Sequence, residues 1–271
     1  MRKLQLLHEY FGHTSFRDGQ QEAVDALLGG KDVLAVMPTG AGKSVCYQLP
    51  ALMLPGISIV ISPLISLMKD QVENLRQSGI SAAFINSAMN SDEYQSVMYG
   101  ARQGQYKLIY VAPERLLTES FLRFAANIKI SMITVDEAHC VSQWGQDFRQ
   151  SYLDIAKFVE LLPERPVIGA FTATATKQVK QDIVSLLKLI EPVAITTGFD
   201  RKNLYFGVET SKNKSKELLS LLRKYKDRSG IVYCISRKLV MLDLQLHVIM
   251  LDFHRKNVHQ ISRTLYMTEE I

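Results

Sequence analysis

Six short runs rich in Val and Ile recur along the chain, at residues 33–37, 57–61, 108–111, 132–135, 167–171 and 231–234, each followed by a longer helical pattern. A run that is apolar on both faces cannot leave one of them in water, so each reads as a strand covered on both sides. Amphipathic stretches at 64–77, 177–189 and 216–225 supply crossover helices. The fold class this predicts is α/β, with a doubly wound parallel sheet. No internal repeat is visible. The charged segment 211–216 reads as a linker, with the run at 231–234 opening a second domain.

Composition narrows the class further. Hydrophobic residues at 47% and charged residues at 22% exclude a disordered or collagen-like chain. The three cysteines, Cys46, Cys140 and Cys234, form no CxxC pair, which argues against a disulfide scaffold or a cysteine-rich zinc site; zinc is not expected. Arg2 and Lys3 lead into Gln5, His8 and Glu9 instead of the apolar core of a signal peptide. The longest apolar stretch, 51–68, is broken by Pro55, Gly56, Ser58, Ser62, Pro63 and Ser66. A spanning helix needs about 20 continuous apolar residues, so a soluble, cytoplasmic protein is expected, nucleoid-associated if bacterial.

The net charge of +5 is unevenly placed. Residues 1–200 carry 18 Lys/Arg against 20 Asp/Glu, residues 201–238 carry 11 against 3, and residues 239–271 carry 3 against 4. The positive excess therefore sits in one short stretch, and a basic run of that kind also suits a solvated face or linker.

Chemistry enters with Met37-Pro-Thr-Gly-Ala-Gly-Lys-Ser44, directly after the first apolar run. In such a loop the backbone of Thr39, Gly40, Ala41 and Gly42 wraps phosphate oxygens, Lys43 reaches the β/γ-phosphates, and Ser44 ligates Mg²⁺. The strict pattern has Gly where Met37 stands, and a glycine-rich turn opening a helix is the bland alternative. Further on, Ile133-Thr-Val-Asp-Glu-Ala-His139 ends another apolar run. There Asp136 suits Mg²⁺ and Glu137 suits orienting and deprotonating the attacking water. Adjacent carboxylates could equally cap a loop, but the two motifs together specify an NTPase.

An ordered set of further segments carries a family resemblance. Phe16-Arg-Asp-Gly-Gln20, the phosphate loop, Ile61-Ser-Pro-Leu-Ile-Ser-Leu-Met-Lys-Asp-Gln71, Tyr110-Val-Ala-Pro-Glu-Arg115, Asp136-Glu-Ala-His139, Phe171-Thr-Ala-Thr174 and Ser229-Gly-Ile-Val-Tyr-Cys-Ile-Ser-Arg237 follow in order. The set resembles superfamily 2 helicases. Cys140-Val-Ser-Gln-Trp-Gly-Gln-Asp-Phe-Arg149 resembles the aromatic-rich loop of RecQ DNA helicases in particular. The likeness runs from residue 1 to about 238.

That resemblance implies an ATP-dependent 3′–5′ DNA helicase using ATP and Mg²⁺, acting on single-stranded and partly duplex DNA in recombination and repair. It implies that Arg17 and Gln20 select adenine, for which amide side chains have the right hydrogen-bonding edge. It makes His139 the link between the nucleotide site and the DNA side. Gln143, Trp144, Phe148 and Arg149 become the loop that contacts single-stranded DNA and couples it to hydrolysis. Thr172 and Thr174 belong to the motif coupling hydrolysis to domain movement. As single residues, each also has an ordinary structural reading: an exposed Gln20, a satisfied His139, a core Trp144, a Thr-rich helix start. An RNA helicase and an ATP-switched binding module are the rival functions.

The domain expectation is a first RecA-like motor domain over 1–205, a linker with the start of a second over 206–238, and an aberrant tail over 239–271. After Lys238 the resemblance stops, where the family pattern expects a helix and then Tyr-His-Ala-Gly. In another reading frame, the codons of residues 248–253 permit Tyr-His-Ala-Gly-Leu. A frameshifted tail is therefore expected, a divergent amphipathic tail being the alternative. On that expectation the chain binds ATP but unwinds poorly or not at all, since the second domain supplies the arginine that completes the site.

Overall fold

The computed structural model describes residues 2–198, 207–208, 210, 213–225, 230–234 and 248–252. They fall in two compact units, Met1–Asp200 and Arg201–Ile271.

The first unit alternates helix and strand. In chain order it comprises α1 (Arg2–Phe11), α2 (Gln20–Leu28), β1 (Val33–Val36), α3 (Lys43–Met53), β2 (Ile57–Ile61), α4 (Ile65–Gln77), β3 (Ala82–Ile85) and α5 (Ser91–Arg102). It continues through β4 (Leu108–Val111), α6 (Glu119–Ala125), β5 (Ile130–Val135), α7 (Asp154–Glu160), β6 (Val167–Thr172), α8 (Lys177–Leu186) and β7 (Val193–Thr196). The strands form one sheet in the order β3-β4-β2-β5-β6-β1-β7, and every pairing is parallel.

Alternation along each strand assigns the two faces. Leu34, Ile59, Ile61, Ile109, Val111, Ile133 and Val135 pack with Tyr94, Met98, Phe121, Phe124, Phe158 and Ile183 of α5 to α8. The intervening Val33, Ala35, Val60, Tyr110 and Met132 pack with Ala23, Leu27, Cys46, Tyr47, Met68 and Val72 of α2 to α4. Helices thus cover both faces, as the uninterrupted apolar runs require.

Two strands escape the sequence reading. β3 is Ala-Ala-Phe-Ile, with little β-branched signal, and β7 is an edge strand with alternate residues exposed. Helix α8 ends at Leu186, short of the expected 189, because Leu187 caps it and Lys188 turns the chain with φ 51°.

Asp32, ahead of β1, ties the amino-terminal edge of the sheet together. Its buried carboxylate accepts backbone N–H groups from Ile168 (2.9 Å) and Ile190 (2.8 Å). It also takes both guanidinium nitrogens of Arg165, at 3.2 and 2.5 Å. A buried charge is tolerable only when its lone pairs are met in this way.

The second unit contains α9 (Lys214–Lys224), β8 (Gly230–Cys234) and β9 (Val248–Asp252). Asn213 caps α9, accepting the Lys216 N–H at 3.0 Å, and Arg223 and Lys224 complement its carboxyl end. β8 and β9 pair in parallel, Gly230 opposite Val248. β9 is the described part of the tail; residues 239–247 and 253–271, on which the rest of the frameshift expectation falls, lie outside the described residues.

Candidate active site

In a parallel α/β sheet, functional loops gather at the carboxyl ends of the strands. Here the loops after β1, β2, β5 and β6 do so, and they carry the residues singled out above except Arg17 and Gln20, which lie just before and at the start of α2.

The loop after β1 turns back through Gly40 (φ 84°) and Gly42 (φ 80°) before α3 begins at Lys43. The φ at Gly42 demands glycine, and a Cβ there, 2.4 Å from Gln20 Nε2, would displace that amide. With no side chain capping α3, its first turn is open to an anion. Met37 leaves β1 bonded through its N–H to Thr172 O at 3.0 Å, and its own carbonyl accepts Lys43 Nζ at 3.2 Å. The loop is further held from behind. Arg17 Nη1 donates to Gly40 O at 2.7 Å. Gln20 Nε2 donates to Ala41 O (3.2 Å) and Gly42 O (3.1 Å), while its Oε1 accepts the Arg17 N–H at 2.8 Å. Gln20 is only 1% exposed, so its amide here supports the phosphate loop.

The carboxylates follow β5. Asp136 donates its N–H to Ile61 O (2.9 Å) and accepts the Glu137 N–H on Oδ1 (3.0 Å), and Tyr152 donates its hydroxyl to the Asp136 carbonyl (2.9 Å). Burial, then the neighbouring Glu137 charge, pushes the Asp136 carboxyl up to about 6. Glu137 sits in the left-handed region at φ 48°, ψ 47°, a conformation a non-glycine residue adopts under constraint. Burial raises its carboxyl, but the His139 hydrogen bond and the Lys43 and His139 charges outweigh it and hold Glu137 below its ordinary value. One carboxylate is thus poised for a cation while its neighbour stays ionised.

His139 joins the strand ends. Its Nδ1 lies 2.8 Å from Thr172 Oγ1 and 3.3 Å from Glu137 Oε2. Thr172 donates its hydroxyl to Thr174 O at 3.2 Å, so its oxygen accepts, and the imidazole proton sits on Nδ1. The single turn at Ala138–Val141 then delivers the chain to the aromatic-rich loop. There Trp144 is 75% exposed, the fate opposite to core filler, and Gln143 and Phe148 are exposed as well. Gly145 permits the turn because a Cβ would meet His139 O at 2.3 Å. Arg149 closes the loop, its N–H donating to Cys140 O (2.9 Å) and Nη1 to Pro63 O (2.8 Å).

The residues fit a magnesium nucleotide. Ser44 and Asp136 are oxygen donors suited to a hard cation, and Asp136 is a buried carboxylate whose raised affinity for a proton marks a place for positive charge. Among the described residues, no group of three or more His, Cys, Asp or Glu is placed to hold a metal by itself.

Some contacts had no sequence signal. Tyr47, bonded to Ser44 and Tyr110, and Gln48, donating to Tyr110 OH (2.9 Å) and Gln71 Oε1 (3.0 Å), form a buried polar group behind Ser44. Asp182 of α8 accepts the Ser142 hydroxyl at 2.6 Å. Apart from the local Tyr47–Ser44 contact, each joins residues distant in sequence, which periodicity cannot reveal.

Residues 17–182 match the family described as DEAD/DEAH box helicase. The chain belongs to that family. It is 46% identical over 238 residues to the ATP-dependent DNA helicase RecQ of Bacillus subtilis, covering 88% of this chain and 40% of that protein. Against the RecQ of Pasteurella multocida it is 44% identical, covering 88% and 37%. It therefore spans about two fifths of the length of these relatives. In fold it is similar to the helicase Lhr of Mycobacterium smegmatis, solved with ssDNA and AMP-PNP (TM-score 0.63, 19% identity, covering 86% of this chain and 34% of that one). The seven-stranded parallel sheet with helices on both faces is the RecA-like motor fold. No helix among the described residues is long and apolar enough to cross a membrane.

Proposed function

We propose that this chain carries the ATP-binding motor domain, over about residues 1–205, of a RecQ-type DNA helicase that moves 3′ to 5′ on single-stranded DNA, with 206–238 leading into a second motor domain. The observation that carries this reading is the convergence of Lys43, Asp136 and Glu137 at one sheet edge, with Glu137 joined through His139 to Thr172 and by the same turn to the exposed Trp144.

ATP with Mg²⁺, once bound, supplies the scissile phosphoanhydride and neutralises its developing charge. Lys43 and the open first turn of α3 take the phosphates, and Ser44 with Asp136 would hold the cation. Glu137, kept ionised, orients water and accepts its proton. Arg17 and Gln20 are proposed to select adenine; Gln20 must then turn from the Ala41 and Gly42 carbonyls it now bonds. Trp144 and Phe148 stack on bases and Arg149 pairs with the backbone. The domain over residues 1–205 is expected to bind ATP and, by itself, to turn it over slowly, since charge on the transferred phosphoryl group calls for an arginine from a second domain.

The test measures ATP turnover of this chain with dT oligonucleotide, with RNA of the same length and with neither, beside Lys43→Ala and Glu137→Gln. The reading expects nucleotide binding, preference for DNA over RNA and loss of residual turnover in Glu137→Gln. Equal stimulation by RNA, or turnover surviving Glu137→Gln, refutes it. Joined to the remainder of its motor, it should unwind duplexes with a 3′ tail and not a 5′ tail.

A further inference from the structure

The aromatic loop is fastened at both roots, to two different elements. At its far end, Arg149 Nη1 binds Pro63 O beyond β2. At its near end lies Ser142, fully buried, whose hydroxyl donates to Asp182 Oδ2 on α8 at 2.6 Å. The same oxygen accepts the Trp144 N–H at 3.1 Å. Gln178, one turn earlier on α8, donates Nε2 to the other carboxylate oxygen at 2.9 Å, which sets the Asp182 rotamer. Between the roots, Trp144 and Phe148 overhang a cavity of about 290 Å³ walled by Val141, Leu153, Asp182 and Leu186. The loop thus has room to move, and beside the backbone bonds of its own turn its near end is tied to α8 by one short, charge-assisted hydrogen bond.

We propose that Asp182 is the positioning residue of the aromatic loop: through Ser142 it fixes the backbone of Trp144, so that α8, the helix following the Thr172–Thr174 segment, sets where the tryptophan meets a nucleic-acid base. The proposal rests on the nucleic-acid reading for what Trp144 meets, and on the geometry alone for what holds it. The relay is continuous from the end of β6 to the loop. Thr172 receives His139 from the nucleotide side, and α8, starting only after Thr176 caps it, carries Asp182 to the loop. A shift at the end of β6 therefore reaches Trp144 without passing through the loop's exposed residues. Freeing the loop should cost the ordering of roughly one or two rotamer-rich side chains on binding, about a three- to tenfold loss of affinity.

Trp144 is the chain's only tryptophan, so its fluorescence reports this position directly. The full chain is compared with Asp182→Ala, Ser142→Ala, the double variant and Asp182→Asn, whose amide oxygen still accepts the Ser142 hydroxyl. Circular dichroism melts check folding, and Ser142→Ala, which removes no charge, carries the test should Asp182→Ala not fold. Expected are a fall in Trp144 anisotropy in the free protein and a three- to tenfold weaker response to a dT oligonucleotide in both single variants. The double variant should be no worse than either single one, and Asp182→Asn, which keeps the acceptor without its charge, should lie between wild type and the alanine variants. Unchanged Trp144 anisotropy in the alanine variants, or additive effects in the double, overturns the proposal even if the melts shift. A wild-type Trp144 signal indifferent to dT oligonucleotide overturns the nucleic-acid reading instead, and the free-protein anisotropy series still decides the positioning role.

Discussion

Asp136 should make the nucleotide-free protein less stable, and replacing it by Asn should show by how much. Burial and the Glu137 charge raise its carboxyl from the ordinary 3.8 to about 6, so the folded protein binds the proton more tightly than the unfolded chain does. At about 1.4 kcal/mol per pH unit, this puts the ionised form at a disadvantage of roughly 3 kcal/mol in the fold. The sign follows: the penalty is complete above pH 6, is relieved as pH falls from 6 towards 3.8, and is gone below. Asn keeps an oxygen for the Glu137 N–H, now accepted at 3.0 Å, and carries no charge. Asp136→Asn should therefore melt higher than wild type at pH 7.5 by about 6–12 °C, taking about 2–4 °C per kcal/mol for a unit of this size. The gap should close by pH 4. The same variant should lose Mg²⁺-dependent nucleotide binding, and saturating Mg²⁺ nucleotide should narrow the stability gap by stabilising only the wild type. The assay is thermal denaturation across pH 4–8, with and without Mg²⁺ and a non-hydrolysable ATP analogue. A variant that melts at or below wild type at pH 7.5, or a stabilisation equally large at pH 4, refutes the reasoning.

Three other substitutions test separate parts of the argument. Arg165→Ala leaves the buried Asp32 carboxylate with its backbone partners only, and should cost about 2 kcal/mol in urea denaturation with an unchanged m-value. Thr172→Val removes the 2.8 Å partner of His139; nucleotide affinity should hold while DNA stimulation of ATP turnover, measured with the remainder of the motor present, falls by about tenfold. Gly145→Ala would drive a Cβ to 2.3 Å from His139 O, so the loop must shift, and titration with a fluorescent dT oligonucleotide should show weaker binding by about 1 kcal/mol or more.

What was legible in the sequence follows from what burial demands. β2 and β4 lie inside the sheet, covered on both faces, so every position but Ser58 is apolar and the runs announced themselves. β3 and β7 stand at the two edges, where less burial is required, and Ala82-Ala-Phe-Ile85 and Val193-Ala-Ile-Thr196 read as nothing in particular. The site obeys the same logic one level up. Glycines at left-handed positions and a lysine at a helix start are local requirements, so the phosphate loop could be read residue by residue. Trp144 could be placed on the surface because Gly145 and the flanking glutamines suit a loop better than a core, and its exposure agrees. The amide of Gln20 is instructive in the other direction. Its side chain suits an adenine edge, but its contacts are the carbonyls of Ala41 and Gly42, which only the packing of α2 against α3 brings within reach.

The connections are what no local pattern encodes. His139 to Thr172, Arg149 to Pro63 and Ser142 to Asp182 each join segments that meet only because β2, β5 and β6 are neighbours in the sheet. A motor of the proposed kind needs such joins more than it needs any one residue, because hydrolysis assisted by Glu137 would matter only if its consequences reached the nucleic acid. Here Glu137, the carboxylate proposed to activate water, His139 and the aromatic loop occupy one continuous stretch, 137–149, clamped by β6 through Thr172, by α8 through Asp182 and by the β2 loop through Pro63. Strand order thus converts a row of separate motifs into one mechanical element. Loosening any clamp should therefore disturb coupling before it disturbs nucleotide binding.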